Sequence, residues 1–86
     1  MIVPGQAAVS ACLSPDEARD AVTAQKLITI DQAARLARGK ARGEMVSANL
    51  CRIDNRLVYD IAILSPGGRV ARIGVDAATS TVKDLR

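Results

Sequence analysis

Residues 44–76 read EMVSANLCRIDNRLVYDIAILSPGGRVARIGVD, and the reading of this stretch decides the fold. Val46, Ala48 and Leu50 alternate with Ser47 and Asn49, the period-2 pattern of a half-buried strand. Asp54-Asn55 then offers a tight turn into Arg56–Leu64, where Leu57, Tyr59, Ile61 and Ile63 share one face and Asp60 points to the other. Ser65-Pro66-Gly67-Gly68 is a second turn, since Pro presets φ and Gly supplies the positive φ such turns demand. Ala71, Ile73 and Val75 alternate with Arg72 and Gly74 in a third strand. Asp76–Ser80 turns the chain again, and Thr81–Leu85, carrying Val82, is long enough for a short edge strand.

Upstream the period changes to 3.6. Ser14-Pro15-Asp16-Glu17 combines an N-cap serine, proline at the first helical position and a glutamate that completes a capping box. The helix it opens presents Ala18, Ala21 and Val22 and is expected to end near Ala24. Thr29 and Gln32 repeat the capping spacing, and Ile30, Ala33, Ala34 and Ala37 fall on one face of a second helix. That helix is expected to run to about Arg38, with Gly39 as its left-handed stop. The expected fold is α+β: two N-terminal helices packed on one face of a three- or four-stranded antiparallel meander. The other sheet face carries Ser47, Asn49, Val58, Asp60, Ala62 and Arg72, mixed polar and small; Ser47, Asn49, Asp60 and Arg72 are the candidate interaction surface.

Composition bounds the rest. The 86 residues suffice for one core, and with 49% apolar residues but a single aromatic, Tyr59, that core is thin. An extra constraint is therefore an asset. Cys12 and Cys51 form no CxxC, which disfavours zinc and thioredoxin-like chemistry. A bridge between them closes a loop of about 40 residues, worth roughly 4 kcal/mol in the chain-entropy model; two buried free thiols in a cytosolic protein are the alternative. Tyr59 is expected to fill the core with its hydroxyl at the layer edge, or else to anchor a partner. Asp76 is expected to bond nearby turn amides; a metal-ligand role would need a second acid, for which Asp60 is the candidate.

Histidine is absent, and no Ser or Cys stands in a nucleophile motif, so the chain is expected to be no enzyme and to carry no cofactor or metal. The net charge is +3, from 12 basic and 9 acidic residues. Its densest basic stretch, Arg35, Arg38, Lys40 and Arg42, is either a solvated helix end or a contact for an acidic partner. A cytosolic interaction or nucleic-acid-binding domain using those four cations is the alternative function, although no aromatics interleave them to stack on bases. A small-molecule or metal sensor finds no residue cluster to support it. No run approaches the ~20 apolar residues of a membrane span. Residues 1–12 are expected to be a flexible segment, either the remnant of an export leader or the start of a mature chain, and Val9-Ser10-Ala11-Cys12 has the local shape of a lipidation site. The domain is expected over residues 13–86.

Within those residues, LSPDEA opening a helix, LVYDIAILSPGGRV, and the ending IGVDAATSTV resemble the PepSY family. The matching positions are Tyr59 and Ile61, Gly68, and Val75, Asp76, Thr79 and Val82, with Ser80 where the family has Gly. The motifs are turns and core positions. The resemblance implies a domain of the kind found in propeptides of secreted metallopeptidases, where it inhibits and aids folding, and in small exported bacterial proteins that modulate proteases or sensor systems. It implies a periplasmic or secreted module whose partner is a separate protein.

Overall fold

The computed structural model describes residues 11–85. Residues 1–10, with most of the expected flexible segment and Val9-Ser10 of the lipidation-site match, lie outside the described residues. The chain runs β1 (Ala11–Cys12), α1 (Pro15–Gln25), α2 (Ile30–Lys40), β2 (Glu44–Ile53), β3 (Arg56–Leu64), β4 (Val70–Asp76) and β5 (Val82–Asp84). All five strands form one antiparallel sheet in the order β1-β2-β3-β4-β5. The fold is the expected α+β arrangement, helices preceding a four-stranded meander. The strand that periodicity missed is β1, whose two residues are too few to show a period and which falls inside the segment expected to be flexible.

Both helices start as their capping boxes dictate. The Ser14 and Thr29 side chains accept from the amides of Glu17 and Gln32, whose own side chains accept from the two cap amides. The first helix ends at Gln25, beside the expected Ala24, whereas the end of the second differs from expectation. Gly39 lies within α2, which continues to Lys40 and closes at Ala41 in extended conformation. The positive φ falls at Gly43 (140°), where a Cβ would stand 2.2 Å from the Leu64 carbonyl oxygen, so the glycine serves the entry into β2 instead of the helix stop.

On the helix side the register sets Leu50, Tyr59, Val75 and Val82 in one row, Ala48, Ile61 and Ile73 in the next, and Met45, Ile63 and Ala71 in a third. Ala33, Ala34 and Ala37 of α2 are buried over these rows, and alanine lets the helix backbone approach the sheet closely. By contrast, α1 buries no residue fully and touches the core through partly buried Ala18, Ala21 and Val22. A bulge between Met45 and Ser47 shifts the expected alternation at the start of β2. The extra residue flips the pleat, so Met45 packs against the core and Val46 is 53% exposed.

The turns follow their residues. Asp54 and Asn55 both take positive φ, as a two-residue hairpin between paired Ile53 and Arg56 requires. Ser80 adopts φ 69°, a left-handed conformation that residues other than Gly seldom take.

Candidate functional site

Alternation sends Ser47, Asn49, Asp60 and Arg72 to the sheet face away from the helices, and the register places them side by side. Asn49 is opposite Asp60, and Ser47, Ala62 and Arg72 form the adjacent row. Arg72 Nε donates to Asp60 Oδ1 at 3.2 Å and its Nη2 donates to Oδ2, a fork on one carboxylate. The hydrogen bond and then the charge of Asp60 raise the Arg72 pKa above its ordinary value. The expected surface is thus a shallow face whose two charges are committed to each other.

Asp76 lies on the same face, opposite Val58. Its Oδ1 accepts from the amides of Ala78 (2.9 Å) and Thr79 (3.0 Å), the turn role read from sequence, and its Oδ2 accepts from Arg56 at 2.7 Å. Burial pushes its carboxyl upward, but the Arg56 hydrogen bond, the two amides and the Arg56 charge outweigh burial and hold it below the usual carboxylate range. Asp60 and Asp76, the two acids considered together for a metal, are each engaged by a separate arginine. Among the described residues no group of three or more metal-ligating side chains gathers.

Cys12 and Cys51 are directly opposite in the β1–β2 register and form a disulfide. Their row continues through Val58 to Asp76 on the open face. Cys51 is fully buried and Cys12 exposed. Arg35, Arg38, Lys40 and Arg42 are apart from this face. Lys40 is partnered by no acid among the described residues, nor are Arg35, Arg38 and Arg42, and all four are exposed on or just after α2. Arg38 and Lys40 occupy its last turn, as the helix dipole favours. No helix among the described residues is long and apolar enough to cross a membrane.

A second feature escaped the sequence reading. Between α1 and the β2 edge runs a groove of about 450 Å³, walled by Leu13, Ala18 and Val22 on one side and Ile30 on the other, with Ala48 and Tyr59 at its floor. Asn49 borders it. Its long side is open backbone: β1 pairs only with Cys51 and Arg52, and the Leu13 amide takes the Leu50 carbonyl at 2.8 Å. In an antiparallel ladder every second residue turns both polar groups to the same edge, so those of Ala48 face outward beside the groove. The signal available in sequence was the pair of cysteines itself. A bridge from Cys12 to a residue on β2 lays the chain before α1 along that strand and leaves the rest of the edge bare.

Tyr59 is buried, and its hydroxyl donates to the Ile28 carbonyl at 2.8 Å, the layer-edge contact expected of it. Burial raises its pKa. Compared with family models, curated proteins and solved structures, the chain matches none.

Proposed function

We propose that this chain is an exported, non-enzymatic protein-binding module of the PepSY-like kind, an inhibitor or regulator of a secreted or envelope protease or sensor system. It takes an extended segment of its partner along the bare edge of β2. The observation that carries this reading is the juxtaposition of outward-facing backbone at Ala48 with the apolar groove under α1. An extended peptide satisfies both, adding main-chain hydrogen bonds to the edge and placing an alternate apolar side chain in the groove. Ser47, Asn49, Asp60 and Arg72 then form the neighbouring rim.

The disulfide supports the compartment, because such bonds persist in oxidising surroundings and are rare in the cytosol. That weighs against the cytosolic alternative built on Arg35, Arg38, Lys40 and Arg42. The test is capture from envelope extract by the oxidised protein, in parallel with Ala18→Arg, which fills the groove from the half-buried face of α1. A partner retained by the wild type and lost by Ala18→Arg is the expected result. Equal capture by both removes the groove from the reading, and capture by neither removes the reading.

A further inference from the structure

The segment from Cys12 to Ile28 is fastened to the rest of the domain at its two ends. Upstream, Cys12 is bonded to Cys51, and the Leu13 amide donates to Leu50. Downstream, the Ile28 amide donates to the Ala77 carbonyl at 3.0 Å while its carbonyl accepts from Tyr59. Between these points α1 is held only by partial burial. The buried apolar residues all belong to α2 and the chain from Leu50 to Ala77, so none of them sits on α1. Yet Leu13, Ala18 and Val22 are one wall of the groove.

We propose that the Cys12–Cys51 disulfide is a redox latch on this groove. A dithiol reductant releases β1, α1 swings out about the Ile28 anchor, and the groove loses a wall while α2 and the sheet persist. A thiolate of the reductant attacks the sulfur of Cys12, the exposed member of the pair; a new S–S bond forms, the Cys12–Cys51 bond breaks, and Cys51 leaves as a thiolate that takes a proton. The second thiol of the reductant then attacks the mixed disulfide and frees the Cys12 thiol. The dithiol ends as its own disulfide, having supplied two electrons and two protons. Two backbone pairs are too few to hold β1 on β2 unaided, and segments with so little burial open locally at low cost.

As regulation of the binding groove this rests on the proposed function, but its test uses no partner, so a groove that binds nothing leaves the latch standing and a failed latch leaves binding standing. Amide hydrogen exchange is followed by mass spectrometry on the whole chain, with and without dithiothreitol. Reduction is expected to speed exchange in residues 13–25 by at least about tenfold, while residues 56–77 stay protected. Unchanged exchange in 13–25, or equal acceleration in both regions, overturns the latch. Cys12→Ser, which leaves Cys51 in place, is expected to reproduce the reduced pattern without reductant; the oxidised pattern in that variant overturns it equally.

Discussion

The hydroxyl of Tyr59, at the middle of β3, donates to the carbonyl of Ile28 in the link between the two helices, 2.8 Å away. Because the Ile28 amide is bonded to Ala77, this phenol completes the fastening of the helical layer to the sheet. Tyr59→Phe keeps the ring and strands the carbonyl, at an expected cost of about 1 kcal/mol in urea unfolding. The same contact sets an alkaline limit. Burial raises the folded-state pKa above the ordinary 10.0, so the stability tied to the neutral phenol is complete below pH 10.0 and is lost as pH rises through the folded value. Unfolding at rising pH is expected to show the wild type losing its advantage over Tyr59→Phe above pH 10.0; a constant gap contradicts the assignment.

Asp76 gives the acid limit. Its folded-state pKa lies below the ordinary 3.8, so its contribution is present above that value and is lost as pH falls through the folded one. Asp76→Ala removes the Arg56 partner and the one oxygen that accepts from both turn amides, and is expected to cost about 2–3 kcal/mol at neutral pH. Asp76→Asn retains an oxygen for the Ala78 and Thr79 amides and is expected to cost about half as much. The gap between wild type and Asp76→Asn should narrow as chemical denaturation is repeated at lower pH. A gap that widens toward acid shows that the carboxylate is not what holds the turn.

Two glycines four residues apart respond in opposite directions. Gly39 sits inside α2 with nothing within 4 Å of the Cβ it lacks, so Gly39→Ala is expected to stabilise by about 0.5–1 kcal/mol through helix propensity alone. Gly43 has φ 140°, and its missing Cβ would collide with backbone, so Gly43→Ala is expected to cost at least about 2 kcal/mol. Melting temperatures of the two variants on either side of the wild type check the pair. Destabilisation by Gly39→Ala places the end of the helix at Gly39 after all.

Most of the fold is legible because its signals are local. The capping boxes at Ser14 and Thr29 and the turn at Asp54-Asn55 each depend on residues within a few positions, and each folds as its spacing dictates. What stayed hidden depends on partners distant in sequence. Gly39 reads as the helix stop until the Leu64 carbonyl is known to pass beside Gly43, where the positive φ falls. The open face with Asn49 opposite Asp60 follows from alternation, whereas the groove requires knowing where β1 stops covering β2. Two residues of strand carry no period from which to learn that.

The bulge in β2 supplies the last test, because alternation and structure assign the core to different neighbours. Alternation back from Ala48 and Leu50 puts Val46 on the core face; the bulge exchanges it for Met45, which pairs with Ile63 and packs against the cluster. Met45→Ala therefore removes a half-buried side chain beside Ile63 and is expected to cost about 1–2 kcal/mol, below the range for a fully buried methionine. Val46→Ala changes a residue that is 53% exposed and is expected to stay within about 0.5 kcal/mol of the wild type. Denaturant midpoints of the two single variants decide between the registers. A larger loss at Val46 than at Met45 means that the strand runs unbulged and that every residue before Ser47 faces the other way.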